Sequence, residues 1–271
     1  MYCRLSPSLR DLLRQNIIDR TDNRVLLMYI TGFNHARLLA YDDYVLTQEQ
    51  VENYDQLVQR VQSGEPLAYI VGYKEFYSRQ FKVTPATLIP RPETELLVEQ
   101  VLAKTQRGAK VLDLGTGSGC IAITLKLERS DLGVTAVDKF ADALAVAQQN
   151  AARMQAEIEF VCSDWYSSFE EQQFNIIVSN PPYIEVSDEH LTALSYEPQS
   201  ALTDFGDGLS CIRNIVSLSR KHLLPDGWLM IEHGYDQGTA VREIFIKNGL
   251  NDVTTTLDYA GLERITIGKN S

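Results

Sequence analysis

Leu5, Leu9, Leu12 and Leu13 recur at three- and four-residue spacing behind Ser6-Pro7, the pattern of a short helix with its start signal. Two further apolar stretches, 25–30 and 36–40, are also read as helical, with Asn34 between them as an N-cap. Thr47 and Gln50 make a capping-box pattern that opens a fourth helix, and Gly64 is its stop signal. From Ala68 the apolar period changes to two. Tyr73 to Tyr77 and Gln80 to Val83 then flank Ser78-Arg79 as the arms of a β-hairpin. Pro92 suits the first turn of the next helix, Glu93 and Glu95 complement its dipole, and Leu96, Leu97, Val101 and Leu102 supply a buried face. Beyond it, strands are expected at 109–114, 133–138, 157–162, 174–179, 227–233, 251–257 and 262–268. Helices are expected after the first two strands and around 208–223 and 236–248. Such alternation predicts an α/β fold with a mostly parallel seven-stranded sheet covered on both faces. The last two strands, joined without a helix, predict an antiparallel hairpin at one edge. Three segments result: a helical bundle at 1–66, a hairpin linker at 67–86 and an α/β domain at 87–271.

Charge sharpens that division. The 271 residues are 44% hydrophobic and 9% aromatic, enough apolar surface to offset chain entropy, so disorder is excluded as the dominant state. Residues 1–84 carry ten basic and ten acidic side chains and residues 85–271 carry 15 and 26, which places the whole net charge of −11 in the second part. Phosphate binding draws on clustered cations, so direct nucleic-acid binding is not expected. Residues 1–40 are the exception, with Arg4, Arg10, Arg14, Arg20, Arg24 and Arg37 against Asp11, Asp19 and Asp22. No apolar run reaches the ~18 residues of a membrane span, and charges occupy the N-terminal stretch where a signal peptide needs apolar residues. A cytoplasmic protein without a membrane partner is expected. Cys3, Cys120, Cys162 and Cys211 form no CxxC pair, and the four histidines have no ligand spacing, so neither a disulfide framework nor a metal site is expected.

The candidate chemistry begins at Val111-Leu112-Asp113-Leu114, an apolar strand running into Gly115, Thr116, Gly117, Ser118 and Gly119 and then a helix. Glycines let a ligand touch the backbone, and the helix N-terminus offers unpaired N–H groups to a polar group. Cys120 stands where a dinucleotide fingerprint needs its last glycine, which weakens a pyrophosphate reading. About twenty residues on, the second strand ends in Asp138, an acceptor pair suited to the hydroxyls of a ribose. Together these fit an adenosine-bearing cofactor. The same residues would also serve a bare tight turn with Asp138 capping the next helix, but the order of the elements favours the cofactor. Asp164 and Trp165, after the third strand, could meet the edge and face of the base.

Asn180-Pro181-Pro182-Tyr183 follows the strand at 174–179, outside the C-terminal end of a central parallel strand, where open α/β sheets bind ligands. Two prolines fix the backbone, so the Asn180 side chain and the Pro181 carbonyl can face one small target as hydrogen-bond acceptors. That pair suits a planar NH₂ group, and Tyr183 adds an aromatic face for a flat amide or base. A turn that merely ends the strand is the plainer alternative.

At this point the chain resembles the class I S-adenosylmethionine-dependent methyltransferases that modify planar amino groups. Upstream, 64–72, Glu75-Phe76 and 88–95 (Leu-Ile-Pro-Arg-Pro-Glu-Thr-Glu) are similar to the release factor glutamine methyltransferase family. Tyr196-Glu197-Pro198, Ala201-Leu202, Asp207-Gly208-Leu209 and Glu232-His233-Gly234 extend the resemblance over essentially the whole chain. One departure is Thr203-Asp204-Phe205, where many members have Asp-Gly-Gly. The resemblance implies S-adenosylmethionine bound at Gly115 to Gly119, Asp138, Trp165 and Asn180, and a methyl group transferred to the N5 amide nitrogen of a glutamine. It implies class 1 peptide chain release factors as protein substrate, held by Asn180, Pro181, Pro182, Tyr183 and Glu197, with Asn180, Pro181 and Tyr183 at the chemistry. It sets Arg91 and Glu93 beside the cofactor. One glutamine among many needs a second contact to be selected, and the local positive charge of residues 1–40 makes the helical bundle the expected docking module for the release factor. An N6-adenine methyltransferase acting on DNA or RNA shares the tetrapeptide but fits the acidic domain poorly. A nicotinamide-dependent oxidoreductase would leave the tetrapeptide idle.

Overall fold

The computed structural model describes residues 6–271, so Leu5, Cys3 and Arg4 lie outside the described residues. The chain divides into two compact units, Met1–Gly72 and Tyr73–Ser271.

The first unit is helical: α1 Leu9–Leu13, α2 Arg20–Thr31, α3 His35–Ala40, α4 Gln48–Gln62 and α5 Leu67–Val71. Ser8, not Ser6-Pro7, opens α1, through a capping box with Asp11. Asn34 and Thr47 cap α3 and α4, and Gln50 returns the second bond of a capping box. Leu9, Leu26, Leu27, Leu38 and Tyr54 are buried. One buried polar link ties three helices: Asn23 Nδ2 donates to the Leu12 carbonyl at 2.9 Å, and the Tyr54 hydroxyl donates to Asn23 Oδ1 at 2.9 Å. The period of two expected from Ala68 does not hold. Pro66 enters with φ −59°, Gly72 leaves with φ +81°, and adjacent Ile70 and Val71 are both buried against α2 and α4, so this stretch is helical.

In the second unit, β1 Tyr73–Phe76 and β2 Arg79–Lys82 form the hairpin. Its turn is Tyr77-Ser78, one residue earlier than Ser78-Arg79, with both residues in the left-handed region at φ +50° and +58°. Glu95 takes the Tyr77 N–H at 2.8 Å, which draws Tyr77 out of the ladder. Next come α6 Glu93–Lys104, β3 Lys110–Leu114, α7 Cys120–Glu128, β4 Gly133–Asp138, α8 Ala141–Met154, β5 Glu159–Cys162 and β6 Phe174–Ser179. Two short helices, α9 His190–Ala193 and α10 Gln199–Leu202, precede α11 Ser210–His222, β7 Leu223–Glu232, α12 Gly238–Lys247, β8 Asn251–Leu257 and β9 Glu263–Lys269.

The seven-stranded sheet has the order β5-β4-β3-β6-β7-β9-β8, with β9 antiparallel to β7 and β8 and the other pairs parallel. The final hairpin thus forms one edge, as the helix-free connection implies. Alternate residues of the central strands enter two cores: Val111, Ile176, Val178 and Met230 face α6 and α7, whereas Leu112, Ile177, Leu229 and Ile231 face α11 and α12. β3 pairs with β4 on one side and β6 on the other, so the connections diverge at its C-terminal end. That divergence opens the crevice.

Candidate functional site

A cavity of about 430 Å³ occupies this crevice, within the usual ~300–1,000 Å³ of small-molecule sites. Its wall includes Gly115, Thr116, Gly117, Ser118, Asp138, Trp165 and Asn180. Gly115, Gly117 and Gly119 have φ +74°, +54° and +82°, which side chains rarely adopt, so glycine is required for this turn. Gly119 has a packing reason as well: a Cβ there would stand 2.8 Å from Ile123 Cδ1 and 3.1 Å from Ala147 Cβ. It is absent from the cavity wall and brings α7 onto α8.

Polar side chains brace the turn from behind. Asp138, 8% exposed, accepts the Gly117 N–H on Oδ2 at 2.9 Å and the Phe140 N–H on Oδ1 at 3.0 Å. Thr116 donates its hydroxyl to Asp113 Oδ2 at 2.7 Å. Burial pushes the Asp113 carboxyl up to about 7 and raises Asp138 as well. Asn150, missed in the sequence, donates Nδ2 to the Ser118 carbonyl at 2.9 Å and to the Lys82 carbonyl at 3.0 Å, while its Oδ1 accepts the Lys82 N–H at 2.8 Å. Asp113 Oδ1 and Ser118 Oγ are buried without a partner. The donor set fits an adenosine-bearing group. Asp138 offers spare lone pairs to hydroxyls, the turn and the start of α7 admit polar atoms, and Trp165 and Phe140 supply aromatic surface on the wall. Trp165 stands at φ +49°, with Cζ3 3.5 Å from where a Gly115 Cβ would be. Asp164, also on the wall, takes Lys139 Nζ at 2.9 Å.

Asn180 lies directly after β6, which Ser179 pins to β3 by donating its hydroxyl to the Leu114 carbonyl at 2.7 Å. The Asn180 Nδ2 donates to Thr94 Oγ1 at 3.1 Å, a partner supplied by α6. Pro182 lines the cavity, whereas Pro181 is buried and off the wall. Tyr183 is half-buried against the α11 and α12 side of the core, and it too is off the wall. Its carbonyl accepts Gln237 Nε2 at 2.9 Å, and a Cβ on Gly208 would strike that carbonyl at 2.4 Å.

Glu197 does not reach the cavity wall. Its carboxylate is buried and committed inside the protein, Oε2 to the Ile89 N–H at 3.0 Å and Oε1 to Arg91 Nη2 at 2.5 Å. It thereby clamps the segment before α6 through Ile89 and Arg91. The Thr203-Asp204-Phe205 departure also has a conformation. Asp204 collects the N–H groups of Gly206, Gly208 and Ser210, which leaves Phe205 65% exposed at φ +58° on the cavity rim. His233 is buried between the Gly234 carbonyl and Thr266 Oγ1, a structural histidine.

Two family models match the chain: the methyltransferase small domain over residues 92–196 and the PrmC N-terminal domain over residues 8–72. A release factor glutamine methyltransferase of Neisseria gonorrhoeae is 47% identical over 256 residues, covering 93% of this chain and 94% of that protein. One of Salmonella typhimurium is 44% identical over 261 residues, covering 95% and 94%. A solved methyltransferase from Pyrococcus furiosus superposes with TM-score 0.57 over 80% of this chain and 99% of its own, at 16% identity, a likeness of fold.

Proposed function

The chain belongs to the release factor glutamine methyltransferase family, and on that premise we propose that Asn180 and the Pro181 carbonyl hold the glutamine amide that it methylates. The reaction moves a methyl group from S-adenosylmethionine to the N5 nitrogen of a release factor glutamine. Residues 115–118, Asp138 and Trp165 are the groups that would hold the cofactor, which when bound supplies a methyl group on a positively charged sulfur.

An amide nitrogen is a poor nucleophile because its lone pair is delocalised into the carbonyl. Accepting both its N–H groups, on Asn180 Oδ1 and on the Pro181 carbonyl, favours a more pyramidal nitrogen and aims its lone pair at the methyl carbon. Positioning and fixed dipoles supply the rate. As the nitrogen–carbon bond forms and the sulfur–carbon bond breaks, the nitrogen gains positive charge and sheds one proton, so no strong base is required. One observation carries this reading: Asn180 spends Nδ2 on Thr94, which leaves Oδ1 for a substrate donor at the cavity wall.

Class 1 release factors are the proposed protein substrate. The helical unit is the proposed docking module, since Arg14, Arg20 and Arg24 are exposed there, while Arg10 is held by Asp42 and Arg37 stacks over Phe33. Among the described residues no helix is long and apolar enough to cross a membrane. Asn180→Ala tests the central claim. Calorimetry should find S-adenosylmethionine affinity within about twofold of wild type, and single-turnover methyl transfer should fall by ~10²-fold or more. Transfer at the wild-type rate overturns the assignment.

A further inference from the structure

Glu232 ends β7 and is 1% exposed, yet its Oε2 has no hydrogen-bond partner. The sheet explains what it stands beside. β6 and β7 are parallel and Ser179 is in register with Ile231, so Asn180 and Glu232 are the next residues along two adjacent strands. From α6, Thr94 completes the group: its hydroxyl accepts Asn180 Nδ2 at 3.1 Å, and Thr94 and Asn180 both favour the charged form of the Glu232 carboxyl beside them.

The oxygen and nitrogen ends of an Asn amide are nearly the same shape, so packing alone does not choose which end faces the cavity. The group behind it does. A carboxylate only accepts hydrogen bonds, so it takes the N–H side of Asn180 and turns Oδ1 outward. A protonated carboxyl also donates, can bond Oδ1, and allows the NH₂ to turn outward. An outward NH₂ would meet the substrate NH₂ donor to donor.

We infer that Glu232 is a positioning residue whose carboxylate holds the Asn180 amide with its oxygen toward the substrate nitrogen, and whose protonation releases that orientation. The inference rests on Asn180 being the acceptor for the substrate amide. The groups that face Glu232 are Thr94 and Glu93 from α6, Asn180 and Tyr183 after β6, Cys120 from α7 and Arg264 from β9. Burial pushes the carboxyl up to about 7, Thr94, Arg264 and Asn180 oppose the rise, and Glu93 adds to it. The protonated form therefore gains population as pH falls through neutrality, and turnover falls with it.

The test uses the full chain and an intact release factor, with kcat, KM and S-adenosylmethionine affinity measured from about pH 6 to about pH 9. Glu232→Gln keeps the volume but binds either end of the amide. It should lower kcat about tenfold or more, keep KM and cofactor affinity within about twofold, and abolish the wild-type fall in kcat below about pH 7. Thr94→Val should lower kcat similarly and retain the pH dependence. Overturning results are a Glu232→Gln enzyme with wild-type kcat and an intact acid limb, or one whose kcat falls only in step with cofactor affinity. If Glu232→Gln does not fold, wild-type kcat in Thr94→Val overturns the inference. Asn180→Ala separates the two levels. Wild-type turnover there defeats the Asn180 reading itself, whereas an inactive Asn180→Ala beside an unaffected Glu232→Gln defeats only the role of Glu232.

Discussion

Asp138 braces the glycine turn through the Gly117 N–H and stands on the cavity wall with lone pairs to spare. Asp138→Ala removes both contributions, and calorimetry should show S-adenosylmethionine affinity weakened by ~1–3 kcal/mol. Unchanged affinity would sink the ribose assignment. Asp113 makes a different prediction, because burial moves its carboxyl from 3.8 to about 7. Between those values the folded protein keeps a proton that the unfolded chain releases, so the contribution is full below the lower value and is lost as pH rises through the upper one. Stability should fall by roughly 2–4 kcal/mol from this group as pH climbs from about 4 to about 8. Asp113→Asn should flatten that slope in urea midpoints, and an unchanged slope would show that the carboxyl does not titrate there. Asp113 and Glu232 both stood within motifs visible in the sequence, but nothing local marked either as fully buried. Burial of a strand-end carboxylate depends on what covers it.

Among the elements, the glycine turn and the β1–β2 hairpin are joined by Asn150 of α8, whose side chain serves Lys82 on one side and Ser118 on the other. Asn150→Ala leaves buried backbone groups unpaired at ~1–3 kcal/mol each, so a loss of about 3 kcal/mol in denaturant midpoint and weaker cofactor binding should appear together. Loss of stability with unchanged cofactor affinity would show that the turn holds its shape without α8. Caps made the helix starts at Thr47 and Asn34 legible, because an N-cap or a capping box is settled within four residues. α5 escaped notice since five residues carry too little periodicity, and its helical form depends on burying Ile70 and Val71 against α2 and α4.

Across the whole molecule, the acidic charge lies beyond residue 84, and the exposed arginines of α2 and the segment before it run against that trend. Reversing Arg14, Arg20 and Arg24 to Glu together should raise KM for an intact release factor about tenfold or more, with less than twofold change on a short glutamine peptide. Equal changes on both substrates would make the helical unit structural rather than selective. Any truncation that isolates the methyltransferase unit should begin at Tyr73, because Phe76 and Phe81 of the hairpin are buried in that unit's core.

Periodicity, caps and turn residues are short-range, and they were enough to read the helical front, the order of strands and helices, the glycine turn and the Asn-Pro-Pro-Tyr segment from the chain. The pairings that make a site of these pieces are long-range. Glu197 meets Ile89 across 108 positions, Asn180 meets Thr94 across 86, and Asn150 meets Lys82 across 68. No local pattern encodes such distances. They follow from which strands lie side by side and in what register, which is how Glu232 comes to stand beside Asn180, and from how the loops fold back, which is how Glu197 comes to clamp the segment before α6. Backbone hydrogen bonding and core packing over the whole sheet set that register, so these partners become visible only once the sheet has formed.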